Sequence, residues 1–429
     1  MKKFLLGTTA LISMTAASAA MAGGSHAPAV AAPANTGGLT VMVGGKLDFQ
    51  SAFISQDENA TNGTGGAASS NQLFRNDTRL NVTAAGSTEN FDYGAVVELN
   101  TDTTNTKNNA AGNADKTYLF VENDNFGRFE GGANSGASDT LEVDAAKIAR
   151  ATGGVDGDWK YNVNTAATGT GTATTTAAGA AGISGAGGAG VGYLLAPNLP
   201  MSEQDKNGPD SNKITYYTPR MGGVQLGVSY TPDSGNTGTA AGITTSNTPG
   251  NTIGAPAQYQ NVFAGGINYE ADFEGVGVMA SLVGEHGDAA NTAPVALTSR
   301  NDLSAYSAGL GVEFSGFSIA GSYGDLGDSG YLTSTTVNKD QTFWDIGAAY
   351  ENGPYGVSVT YFDSSKGTGA AAVNNGGSND LTNLVVGADY QMAPGLTPYV
   401  EASFFDFKND TATADNSGNV VLVGAELAF

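Results

Sequence analysis

Two histidines, no cysteine and a scatter of charged side chains at alternate positions are what this chain offers for chemistry. His26 and His286 stand far apart, and a Ser-His hydrolase would need His286 beside a nucleophile. The lack of cysteine removes a thiol nucleophile, a Cys-ligated metal and a disulfide framework together. Residues 185–190 (GAGGAG) fit the dinucleotide pattern G-x-G-x-x-G, but they neither follow a convincing strand nor open a helix, so they read as low-complexity loop. Asp-rich loops offer oxygen ligands to a loosely held divalent cation without the twelve-residue calcium-loop pattern. No other cofactor and no enzymatic activity is expected. What remains is charge in a two-residue rhythm, Lys46, Asp48 and Gln50, then Arg75, Asp77, Arg79 and Asn81. Side chains so spaced share one face of a strand, where their fields add. An ordinary sheet with these residues facing solvent would show the same rhythm.

The elements that carry these charges are strands. Residues 419–429 (NVVLVGAELAF) alternate Val421, Val423, Ala425, Leu427 and Phe429 against Val420, Leu422, Gly424, Glu426 and Ala428. In 39–54, Val41, Val43, Leu47, Phe49 and Phe53 oppose Lys46, Asp48 and Gln50. Similar runs occupy 72–84, 91–102, 116–122, 128–134, 212–218 and 223–231, and then in pairs to 407. Between 135 and 211 alternation stops. That stretch opens with an acidic, partly helical-looking piece at 139–150 (DTLEVDAAKIAR) and passes into Ala, Gly and Thr repeats at about 164–192. Short turns alternate with longer polar loops, and aromatics such as Tyr216, Tyr230, Tyr350, Tyr355 and Tyr390 gather near strand ends. The expected fold is all-β: a transmembrane antiparallel β-barrel of about 16 strands, since closure satisfies every backbone hydrogen bond in lipid. A propeller would repeat its motif at a fixed spacing, and no such repeat is present.

Composition agrees. Glycine is 62 of 429 residues and charged residues only 14%, a balance that favours turns and closely packed strands over helices. The net charge of −23 argues against nucleic-acid binding and for a surface that attracts cations. Lys2 and Lys3, an apolar run at 4–17 and Ala20-Met21-Ala22 read as a secretory signal over residues 1–22, cut after Ala22. Residues 23–38 read as a flexible periplasmic leader and 39–429 as the barrel.

Residues 212–232 (NKITYYTPRMGGVQLGVSYTP), with the signal, the strand count, the long third loop at 135–211 and terminal Phe429, resemble the Gram-negative general diffusion porins. The resemblance implies a homotrimer of sixteen-stranded barrels in the outer membrane. In that family the third loop folds into the lumen and sets carboxylates across from basic wall residues. Carried over, the loop acids are Asp139, Glu142 and Asp144, and the wall bases are Lys46, Arg75, Arg79 and Arg128. The enteric Pro-Glu-Phe-Gly-Gly-Asp type of loop signature is absent, and this loop is far longer. The implied partners are outer-membrane lipid, lipopolysaccharide and, through Phe429, the barrel-assembly machinery. The expected function is passive diffusion of small hydrophilic solutes and ions with a cation preference. Two alternatives stand beside it: a plugged structural or adhesive barrel whose long loops bind a partner, and a substrate-specific channel, to which inward-parity Tyr217 alone points.

Overall fold

Period-two patterning becomes a ring of strands in the structure, a computed structural model that describes residues 34–36, 38–57, 71–101, 113–163, 193–201, 211–234, 259–289, 300–331, 333, 339–367, 377–410 and 415–429. The expected signal, most of the leader and the 164–192 tract lie outside the described residues. A short β1 (Ala34–Thr36) precedes β2 (Leu39–Gln56), β3 (Gln72–Ser87), β4 (Asp92–Asn100), β5 (Asn113–Asn123) and β6 (Gly127–Ala133). The third loop carries α1 (Ala137–Leu141) and three 3-10 turns, Ala146–Ile148, Gly154–Asp156 and Asp158–Asn162. Then come β7 (Asn212–Tyr217), β8 (Val224–Asp233), β9 (Tyr259–Phe273), β10 (Val276–Ala289), β11 (Leu303–Phe314) and β12 (Phe317–Gly327). The chain closes with β13 (Gln341–Asn352), β14 (Tyr355–Gly367), β15 (Ser378–Tyr390), β16 (Leu396–Lys408) and β17 (Asn416–Ala428).

From β2 onward every strand pairs antiparallel with the next, and β17 returns to β2 with Gly418 opposite Gln56 and Ala428 opposite Lys46. These sixteen strands form a closed barrel. At the seam, Phe429 and Gly45 exchange backbone bonds of 2.8 and 3.0 Å, which leaves the β2 edge at Leu39–Val41 without a β17 partner. The end of the expected leader fills it: β1 folds back through Gly38, at φ +95°, and pairs Thr36 with Leu39 and Ala34 with Val41. Residues 34–36 are therefore strand rather than free leader, because an open edge of backbone donors and acceptors is costly.

Alternation sorts the two faces. Along β11, Leu303, Ala305 and Ser307 are buried while Tyr306, Leu310 and Val312 point out. Leu310 is 69% exposed, and rows of such residues surround the barrel. In hydrocarbon each finds a matching solvent, worth about 1.5–3 kcal/mol against water for a full-sized apolar side chain. Close aromatic pairs mark both rims. Phe317–Tyr350 (4.3 Å), Tyr355–Tyr390 (4.9 Å) and Phe129–Tyr216 (4.5 Å) lie at the short-turn end; Tyr230–Phe263 (4.9 Å) and Trp344–Tyr361 (5.2 Å) lie at the other. The turns Glu274-Gly275 and Ser315-Gly316 have positive φ at both positions, the conformation whose twist matches a tight antiparallel hairpin. Strand β5 begins earlier than its alternation predicts, because a bulge opposite Glu98 and Leu99 breaks the parity at Asp115.

Candidate channel constriction

Four basic residues on the inward faces of β2, β3 and β6 each find carboxylates. Lys46 lies directly across from Arg79, and Asp48 from Asp77, so like charges face each other and attraction runs along the diagonals. Lys46 Nζ sits 3.3 Å from Asp77 and 3.8 Å from Glu426. Arg79 gathers Glu98 (3.1 Å), Asp115 (3.7 Å) and Asp77 (3.8 Å). The β5 bulge is what turns Asp115 inward to reach it. Arg128 bonds Glu122 (2.7 Å) and Glu130 (2.6 Å) with its guanidinium 4.2 Å from the Phe120 ring centre. Arg75 differs: its partner belongs to the third loop, Asp158 Oδ2 at 2.7 Å, and it stacks 4.1 Å above Tyr161. Gln50, opposite Arg75, also donates to Asp158.

The described part of the third loop has almost no repeating backbone pattern, so its N–H groups must bond elsewhere. They bond to inward-facing side chains. Ala137 N donates to Ser229 Oγ (2.8 Å), Val143 N to Ser281 Oγ (2.9 Å) and Ala145 N to Asp345 Oδ1 (2.6 Å). Arg150 N donates to Ser358 Oγ (2.9 Å), while its guanidinium clasps both oxygens of Asp389 at 2.8 Å and Glu351 at 3.0 Å. Fully buried Glu401 accepts from Thr152 Oγ1 (2.6 Å), Thr152 N (3.1 Å) and Gly154 N (3.4 Å). The loop thus passes β8, β10, β13, β14, β15 and β16 in turn before Asp158 meets Arg75. Residues 193–201 run back along the same side: Leu194 O accepts from Ser364 Oγ and Met201 N donates to Glu285 Oε2, both at 2.8 Å. Backbone contact is close enough that a methyl group on Gly309 would overlap the Val143 carbonyl oxygen.

The three acids expected from the loop lie early in this path. Asp139 is half-buried in the first turn of α1. Glu142 and Asp144 are 3% and 2% exposed, against the β10–β13 wall and away from the four bases. Burial, and then the Asp144 charge, push the Glu142 carboxyl well above the usual carboxylate range; Asp144 is raised too, chiefly by burial. Glu142 faces Ser307, whose hydroxyl favours the charged carboxylate without offsetting the burial. Burial lowers Lys147, yet Asp144, Asp139 and Glu142 outweigh it and hold the ammonium above its ordinary value. Asp144 Oδ1 also accepts from Lys147 N at 3.0 Å. Among the described residues, Arg75 is the one of the four bases that pairs with a loop acid, and that acid is Asp158. Its signal was present in the run Asp156-Gly157-Asp158-Trp159-Lys160-Tyr161, where charge and aromatics interrupt an otherwise small-residue segment.

A closed antiparallel ring with an apolar exterior and a charged interior defines a membrane-spanning β-barrel channel. A model of the Gram-negative porin family matches residues 7–410, and the chain belongs to that family. Its place is accordingly the outer membrane. An uncharacterized protein of Rickettsia bellii is 32% identical over 260 residues, which span 51% of this chain and 57% of that protein. One from Rickettsia felis is 25% identical over the full length of both. Among solved structures, OmpF of Salmonella typhi in complex with daunomycin superposes with a TM-score of 0.57 at 13% identity, over 92% of this chain and all of that one. The anion-selective porin of Comamonas acidovorans gives 0.54 at 13% identity, over 91% and 100%. At such identities the likeness is one of fold.

Proposed function

We propose that this outer-membrane channel passes small hydrophilic solutes and ions by diffusion and prefers cations, with its third loop folded into the lumen as the constriction. The carrying observation is the charge balance of the inward wall: among the described residues, Lys46, Arg79 and Arg128 lie within 4 Å of six carboxylates, Asp77, Glu98, Asp115, Glu122, Glu130 and Glu426. In a narrow passage such an excess lowers the energy of a cation and raises that of an anion. Bonds from residues 137–154 to inward-facing side chains support the loop placement. The preference of the Comamonas protein for anions does not transfer, because selectivity resides in lumen charges rather than in the fold. The same reading carries the expected cleavage after Ala22, assembly as a homotrimer amid lipopolysaccharide, and recognition of Phe429 by the assembly machinery. It requires neither a cofactor nor a catalytic residue.

A planar bilayer with a salt gradient tests it. Large ohmic steps with a reversal potential of cation sign are expected, and an anion sign would refute the preference. An inserted but silent barrel would favour the second reading, a plugged structural barrel. That reading draws on one observation, the apolar packing between the third loop and the wall.

A further inference from the structure

One point of the third loop reaches the short-turn end of the barrel, the periplasmic end in an outer membrane. There Glu351, Gly356 and Asp389 are direct cross-strand neighbours on β13, β14 and β15, each one residue from the end of its strand. A glycine between two carboxylates makes a cradle with acceptors on both sides and no side chain on its floor. Arg150 lies in it. Its Nε and Nη2 take the two oxygens of Asp389, its Nη1 takes Glu351, and a methyl group on Gly356 would overlap the guanidinium. Its backbone is fitted as closely: a methyl group on Gly387 would come within 2.7 Å of the Arg150 carbonyl oxygen. Ala151 N donates to the same Asp389 at 3.2 Å, and Ala151 has φ +62°, a conformation that a residue with a Cβ keeps only where its surroundings hold it. The turns behind the cradle are tied together by Gln391 N donating to Pro354 O at 2.8 Å.

We propose that Arg150 is the positioning residue of the third loop and that the cradle of Glu351, Gly356 and Asp389 is a site built for it, so that the loop is bolted from the periplasmic rim. The Asp389 side chain is 3% exposed, so its forked pair with Arg150 is short and shielded from salt. The contact between the loop and β3 is more open, with Arg75 and Asp158 side chains 28% and 19% exposed. Loss of Arg150 leaves the Asp389 carboxylate nearly buried without its counter-charge, which drives the loop off the rim; loss of Arg75 leaves an acid that water can reach. The proposal rests on the loop placement given above and not on conduction.

Ala149→Cys reports the seat, with Ile148→Cys in reserve if it fails to fold; both positions are buried, and the native chain has no cysteine. Each is labelled with a maleimide in the folded, detergent-solubilised protein. Adding Arg150→Gln should speed labelling by about tenfold or more, as a local opening would. Gly356→Ala should do the same without altering any charge, and since the atoms it displaces end a flexible side chain, the strands keep their pairing. Arg150→Lys keeps the charge but cannot fork both oxygens of Asp389, and should fall between. Arg75→Gln should label at the parent rate. In a planar bilayer, Arg150→Gln and Gly356→Ala should give larger and noisier steps than the parent. Parent-like labelling in both, or equal acceleration by Arg75→Gln, overturns the bolt and leaves the channel reading intact. The expected labelling order in a protein that never conducts supports the bolt and overturns the channel reading alone.

Discussion

Replacing Arg79 with Gln removes one positive charge from among three carboxylates while keeping much of the side chain's bulk. An ion passing about 5 Å away in water-like surroundings feels a unit charge by about 0.8 kcal/mol. At 0.1 M salt, where the screening length is about 10 Å, roughly 0.5 kcal/mol of this survives. The change stabilises a cation and destabilises an anion by that amount, so the permeability ratio should move about fivefold toward cations. At 1 M, with a screening length of about 3 Å, the shift should shrink to less than about twofold. The assay is the zero-current potential of Arg79→Gln against the parent under a tenfold gradient centred on each salt level, with heat-modifiable gel mobility to verify the folded barrel. A potential that does not move at 0.1 M, or a shift that is the same at 1 M, would refute the placement of Arg79 beside the path.

Three further outcomes follow from other parts of the molecule. Gly309→Ala forces its new methyl group into the Val143 carbonyl, so the third loop should lift from β11 and single-channel conductance should rise and become noisier; an unchanged trace would show that the loop is not held there. Because Glu142 and Asp144 titrate above the ordinary carboxylate range when seated, the seated loop binds protons more tightly than a released one. Loop stability is then greatest below that ordinary range and declines as pH rises through the raised values, so protease cutting near residues 142–150 should be faster at alkaline than at acid pH. Glu142→Gln should flatten this dependence, and the opposite slope would contradict it. Finally, Phe429→Ala leaves the backbone exchange with Gly45 available, so refolding in detergent should be near normal while the amount reaching the outer membrane in cells falls. A normal cellular yield would remove Phe429 from the assembly signal.

Much of the barrel was legible because a strand with lipid on one side and water on the other must write period two into its residues. Leu47, Phe49 and Phe53 opposite Asp48, Gln50 and Ala52 show this plainly. Asp115 escaped because a bulge is a local break in that rhythm, and nothing in Asn113-Ala114-Asp115 marks it. Parity gives the face of a strand but not the place of a loop upon it. The acids Glu142 and Asp144 look equivalent to Asp158 in sequence; their positions are decided by which carboxylates and hydroxyls on distant strands receive the loop's N–H groups. Glu401 and Asp389, fixed on β16 and β15, take Thr152 and Arg150, and this carries Asp158 around to Arg75. The fold of such a segment depends on shape and partner supply, neither of which has a period.

The anchors of the third loop lie far downstream of the loop itself. Ser229 is 92 residues beyond Ala137, and Glu401 is 249 beyond Thr152. Contacts at such separations form late, after the intervening chain has been ordered. The segment therefore cannot complete its seat until β15 and β16 stand in the wall, which places its docking among the late contacts of folding, alongside the pairing of β17 with β2. The strands that join the ring last are thus the ones that hold the loop, so the wall and the seat of the third loop are completed together.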